Sequence, residues 1–290
     1  MVDRVADPHV CRTCGAHLPG DAPPPGLCPT CDEPRQYVKE SGQAWGRHDA
    51  LLAEHAPRIE EEAFGLTGVG LEPALAIGQR ALLVRTPEGN VLWDCVPLLH
   101  EATIERLDEL GGVRAVAVSH PHFYTGVARF AEAFGAEVFL HAADRAHVTH
   151  PHPRLRFWDG ERQPLFGGIE LVRAGGHFAG GTVLHWRAGA EGRGVLLTGD
   201  VVMVIPDRRY VSFMYSYPNL IPLPVREVER IGAALEPLAF EAIVGGWWGR
   251  VIARDGKDVV RRSVARYRQA LEGRLDGAVV PWPAGDGAGP

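Results

Sequence analysis

The chain has 290 residues, 46% hydrophobic and 23% charged, which is enough apolar material for one large α/β domain or a medium one plus a small module. A formal net charge of −6 and the lack of any long Lys/Arg run weigh against nucleic acid as a partner. No apolar stretch approaches the ~20 residues of a membrane span and Met1 to Asp7 lacks the pattern of a signal peptide. The expectation is a cytoplasmic protein with a small-molecule substrate and no membrane partner.

Residues 1–40 hold four of the five cysteines in two pairs, Cys11-Arg12-Thr13-Cys14-Gly15 and Cys28-Pro29-Thr30-Cys31, around the proline-rich turn Gly20 to Gly26. Such a segment cannot fold on an apolar core, and in a reducing compartment two close thiol pairs read as one tetrahedral metal site. Cys11, Cys14, Cys28 and Cys31 are therefore predicted to hold structural zinc in a small ribbon, with a docking role toward a protein partner or a second copy of the chain. The knuckles also resemble rubredoxin, where the same ligands hold iron, although the aromatic-rich intervening segment of rubredoxins is missing here.

Residues 41–66, with Trp45, Leu51, Leu52 and Ile59 among charged positions, are predicted as a connecting helical segment. From 67 to 278 short strands and helices alternate, the pattern of a layered α/β domain. Ala81 to Val84 and Val91 to Trp93 flank the turn Pro87-Glu88-Gly89-Asn90 and read as a hairpin. Helices are expected over Leu99 to Leu110, Val127 to Phe134, Val225 to Leu235 and Asp258 to Leu271. Strands are expected over Val113 to Val118, Glu137 to Leu140, Ile169 to Val172, Thr182 to Trp186, Val195 to Leu197 and Ala242 to Val244. The Gly/Pro-rich end, 279–290, is predicted to be disordered.

Three segments carry the chemistry. Val116-Ala117-Val118-Ser119-His120-Pro121-His122 runs an apolar strand into two histidines at i and i+2, a spacing that can aim both imidazoles at one ion where the chain turns. Gly175-Gly176-His177 puts a histidine in a glycine-rich loop before Thr182-Val183-Leu184. Leu196-Leu197-Thr198-Gly199-Asp200 ends a buried strand on a carboxylate. In this order, and with the earlier strand ending Leu92-Trp93-Asp94, the segments resemble the metallo-β-lactamase superfamily over roughly residues 67–250.

The resemblance implies an αββα sandwich with a metal site at one end. It also implies His120, His122 and His177 as first-metal ligands and Asp200 at the position that bridges two metals in complete members. The second metal's ligands are missing, since Tyr124, Thr125 and Trp247 stand where the family pattern has an aspartate and two histidines. The site is thus expected to hold one zinc ion, with Asp200 either a ligand or the base for a metal-bound water, and Tyr124 either a hydrogen-bond donor to substrate or a packed aromatic. The implied activity is hydrolysis of an ester, thioester, lactone or amide. Persulfide dioxygenases of the same superfamily hold one iron at positions matching His120, His177 and Asp200, which gives Fe2+ and an oxygenase as the alternative; a non-catalytic binding protein is the third reading. Phe123, Tyr215, Tyr217, Trp247 and Trp248 are expected to build an aromatic substrate pocket, and Asp94 to support a ligand histidine.

Overall fold

The computed structural model describes residues 7–275. The ribbon is a three-stranded sheet in which β1 (His9–Cys11) lies between β2 (His17–Leu18) and β3 (Trp45–Arg47). The third strand lies beyond residue 40, so the ribbon's backbone is completed by a part of the chain expected to be helix.

Residues 41–66 hold more strand than helix. After β3 comes a single helical turn, His48–Leu51, and then β4 (Ala56–Glu61), which pairs residue for residue with β5 (Thr67–Glu72). Six residues of antiparallel pairing outweigh the helical preference of this charged stretch, because strand formation is decided by cross-strand partners more than by local propensity. β4 is an edge strand, and its charged Arg58, Glu60 and Glu61 suit a position that must not recruit another chain. The expected disordered tail, 279–290, lies outside the described residues.

The first large sheet continues with β6 (Ala81–Val84), β7 (Val91–Trp93), β8 (Ala115–Ala117), β9 (Glu137–His141) and β10 (Leu155–Trp158), side by side in chain order. It is antiparallel from β4 to β7 and parallel from there to β10. The second sheet has six strands in order: β11 (Arg162–Pro164), β12 (Ile169–Arg173), β13 (Thr182–Trp186), β14 (Val195–Leu197), β15 (Ala242–Val244) and β16 (Val251–Ile252).

Alternation along the strands sorts the side chains into three layers. Leu82, Val84, Val91 and Trp93 meet Leu171, Leu184, Leu197 and Val244 between the sheets. Their neighbours Ala81, Leu83 and Leu92 face outward onto Leu107 of α1 (Glu101–Glu109) and Phe130 of α2 (Val127–Phe134). On the far side Val183, Leu196 and Ile243 pack on Ile231 of α3 (Val225–Leu235) and Val259 of α4 (Gly256–Leu271). Central strands buried on both faces explain why these runs are apolar throughout. The result is an αββα sandwich.

The ribbon packs on the end of the first sheet. Val10 and Leu51 join Leu71, Leu75 and Leu98, and His17 Nε2 lies 2.6 Å from the carbonyl of Pro97. Among the described residues, no helix is long and apolar enough to cross a membrane.

Candidate metal centres

The main site forms where three strand ends converge. The chain leaves β8 into Ser119, His120 and the short turn Pro121–Phe123; the loop Gly175 to Gly181 precedes β13; and β14 ends in Thr198-Gly199-Asp200. Gly199 lies at φ +55°, and a Cβ there would meet Ser119 Oγ at 2.5 Å, so glycine lets the third segment close onto the first.

His120 Nε2 stands 2.9 Å from Asp200 Oδ1, His177 Nε2 3.7 Å from the same oxygen, and His177 Nε2 3.2 Å from His122 Nδ1. The four donor atoms lie within 4.8 Å of one another and all four residues are buried. Donors at zinc distance in a tetrahedron are roughly 3.3 Å apart, so the observed set has the spacing of one coordination shell. Among the described residues, His120 Nε2 and Asp200 Oδ1 have no hydrogen-bond partner, and a cation between them would account for two otherwise orphaned buried atoms. The residues present fit a metal ion.

Burial pushes His177 down to about 3 and lowers His122 too, so both imidazoles are neutral near pH 7, the form that ligates. Burial raises Asp200, but the neighbouring His120 and His177 outweigh it and hold the carboxyl below its ordinary range. Asp200 is thus ionised and inside the donor set. Behind it, Asp94 Oδ1 accepts the Ser119 amide at 2.7 Å, and Ser119 Oγ lies 2.9 Å from His120 Nδ1. Asp94 therefore holds His120 through Ser119.

The expected aromatic pocket is only partly assembled. Tyr217 donates its hydroxyl to the Asp200 carbonyl at 2.9 Å, and Tyr215 lies under the Arg35 guanidinium. Phe123 is fully buried behind the site, its ring 4.6 Å from His120 and 5.7 Å from Trp247. Trp247 donates its indole N–H to the carbonyl of Ile77, while Trp248 lies flat over Gly68 and Gly70 of β5 with Arg58 stacked on it. Both indoles are packing elements and not pocket walls. Tyr124 is buried in the core beneath α2, and burial raises its phenol above the ordinary value, so the hydroxyl stays protonated.

The cavity that reaches the site is lined by His122, Phe178, His147, Thr149, Pro29 and Glu33, with a volume of about 80 Å³. Phe178, His147 and the two ribbon residues escaped the sequence reading. Phe178 is one position beyond a recognised ligand, so its neighbourhood was the available signal; for Glu33 there was none.

In the ribbon, Cys11 Sγ and Cys31 Sγ are 3.5 Å apart and Cys14 Sγ and Cys28 Sγ 3.6 Å, all buried and mutually within 4.8 Å. Thiolates around one zinc ion stand about 3.8 Å apart, so these four cysteines also fit a metal.

The metallo-beta-lactamase superfamily model matches residues 76–280, and the chain belongs to that superfamily. It is 42% identical over 269 residues to YmaE, an uncharacterized protein of Bacillus subtilis (strain 168), an alignment covering 92% of this chain and 98% of YmaE. Among solved structures it shares the fold of a B3 metallo-beta-lactamase, at 19% identity and a TM-score of 0.52 over 84% of this chain and 97% of that one. The DIM-1 metallo-beta-lactamase matches at 14% identity and a TM-score of 0.54, over 74% and 98% of the two chains.

Proposed function

We propose that the protein is a hydrolase with a single metal ion, zinc, in the main site, acting on an ester, thioester, lactone or amide bond of a small molecule. The observation that carries this reading is the convergence of His120 Nε2, His122 Nδ1, His177 Nε2 and Asp200 Oδ1 on one point beside a cavity. With His120, His122 and His177 as its ligands and the fourth position left to water, a zinc ion there would lower that water's pKa to near 7 and polarise a carbonyl, Asp200 standing beside the water as base.

The chain's own residues supply the rest. Asp94 and Ser119 fix His120, Tyr217 fixes the backbone of Asp200, and the Met214 carbonyl lies 3.1 Å from His177 Nδ1. Phe178 gives the cavity an apolar face against His122 and His177. A cavity of about 80 Å³ is well below the roughly 300 Å³ at which pockets for drug-sized ligands begin, which favours a small acyl group over a bicyclic antibiotic. His122 within the donor set favours three imidazoles and a carboxylate over the two-histidine, one-carboxylate iron arrangement.

Elemental analysis of the full chain and of a Cys28→Ser/Cys31→Ser variant, joined to a panel of small p-nitrophenyl esters, thioesters and lactones, tests this. Two zinc per chain, one in the variant, and hydrolysis abolished by His122→Ala are expected, with no turnover of a chromogenic cephalosporin. Iron in the main site with oxygen consumption, or zinc in both sites with no hydrolysis across the panel, would overturn it.

A further inference from the structure

Each histidine of the main site turns one nitrogen to the donor cluster and leaves the other to be held. His120 Nδ1 meets Ser119 Oγ at 2.9 Å and His177 Nδ1 meets the Met214 carbonyl at 3.1 Å. His122 is different. Its outer nitrogen, Nε2, is buried with no hydrogen-bond partner among the described residues, and it faces Glu33 Oε2 at 3.9 Å.

Glu33 comes from the ribbon, two residues beyond Cys31, and the chain around it is firmly tied. The Arg35 amide donates to Glu33 Oε2 at 2.9 Å and the Arg35 guanidinium pairs with the other oxygen. That guanidinium lies between the rings of Phe178 and Tyr215, 4.4 Å from each, and donates through Nε to the His177 carbonyl at 2.6 Å. Ser216 Oγ donates to the Arg35 carbonyl, and Asn219 Nδ2 to the carbonyls of Gln36 and Pro34. The knuckle leads directly into this strap, since the Asp32 amide donates to the Cys28 carbonyl at 2.9 Å. Folding Cys28 to Cys31 around an ion therefore fixes where Glu33 sits.

We propose that Glu33 is the outer partner of His122, and that the ribbon thereby couples its four-cysteine site to the main site, which binds metal about 10–100-fold more tightly when the ribbon is loaded, without depending on it for binding. A carboxylate on the outer N–H of a ligating imidazole fixes ring orientation and raises its basicity; loss of such a partner typically weakens metal affinity about 10–100-fold. Glu33 is a positioning residue in this scheme. The inference rests on reading the His120, His122, His177 and Asp200 cluster as a metal site, but not on any reaction there.

Cobalt(II) titration of the full chain reads both sites separately, because thiolate-bound cobalt gives intense near-ultraviolet charge-transfer bands and the imidazole site only weak visible ones. Glu33→Ala is expected to lose about 10–100-fold in main-site cobalt affinity with the thiolate bands unchanged, and Glu33→Asp to recover part of it. Arg35→Gln, which keeps every cysteine, is expected to weaken the main site in the same direction. Cys31→Ser is expected to cost a similar factor, with Glu33→Ala adding nothing further in that background. Main-site affinity within twofold of the parent in Glu33→Ala, or a full Glu33 effect surviving in Cys31→Ser, would overturn the proposal. If the parent's main site takes no cobalt at all, the reading of the cluster itself falls; if it binds cobalt and is indifferent to Glu33, only the coupling falls.

Discussion

Gly199 and Gly135 form a matched pair for testing how the main site is assembled. Both lie in the left-handed region, at φ +55° and +58°, so alanine pays the same backbone penalty at either, about 1–2 kcal/mol. They differ in what the new methyl meets. At Gly135 nothing lies within 4 Å, whereas at Gly199 the Cβ falls 2.5 Å from Ser119 Oγ and 2.9 Å from Ser119 Cβ. Ser119 cannot simply rotate away, because its hydroxyl contacts His120 Nδ1 and its amide is held by Asp94. Overpacking of this kind adds about 1–3 kcal/mol, so Gly199→Ala should cost roughly 2–5 kcal/mol in total. Displacing Ser119 should also weaken main-site metal binding at least about tenfold. Urea unfolding at fixed free zinc gives the first number and cobalt titration the second. Equal destabilisation in the two variants, with main-site affinity unchanged in Gly199→Ala, would refute the claim that this glycine exists to let the third segment close onto Ser119.

His122→Ala should lower the metal content of the full chain from two ions to one while leaving the thiolate bands of a cobalt-loaded ribbon intact; loss of both ions would show that the sites do not fold separately. His17, buried against Pro97, is pushed down to about 3 by burial, so the unfolded chain takes up a proton there between pH 6.5 and 3 that the folded chain does not. Its contribution to stability is complete above pH 6.5 and is lost as pH falls toward 3; His17→Gln should flatten the fall of the urea midpoint in that window, and an unchanged slope would contradict the assignment. Arg80 is fully buried, with its Nε 2.7 Å from Glu62 and Nη1 on the Gly245 carbonyl. Arg80→Ala should cost about 3–5 kcal/mol by stranding the Glu62 carboxylate. Adding Glu62→Gln should recover part of that cost in the same urea measurement, and strict additivity of the two losses would count against a paired role.

The sandwich was legible because its strands are short apolar runs and its helices have clear stops: Gly135 adopts the left-handed conformation just after α2 and ends it. The donor set was legible for a similar reason, since each ligand lies in a short local motif at a strand end or in the loop beside one. What was hidden depends on contacts far apart in the chain. β5 reads poorly because Gly68 and Gly70 look like breakers, yet a Cβ on either would collide with Trp248, some 180 positions away in sequence order and adjacent in space. β4 reads as helix from its own residues because its partner strand, not its composition, decides its shape. Glu33 sits in a segment whose obvious content is cysteine and proline, and nothing local announces that it ends beside His122.

The placement of Trp247 and Trp248 bears on how this lineage could change. Where the superfamily pattern has a late histidine, this chain has an indole hydrogen-bonded to Ile77 and edge-on to Phe123, next to a second indole seated in a trough made by two glycines. Putting a metal ligand back at 247 would break that clamp before any second ion could bind, because Tyr124 and Thr125 would still be non-ligands. Several replacements would have to arrive together, each harmful alone. If the main site holds one metal ion, as proposed above, interdependent packing around residue 247 would keep it so, a ratchet that single substitutions do not easily reverse.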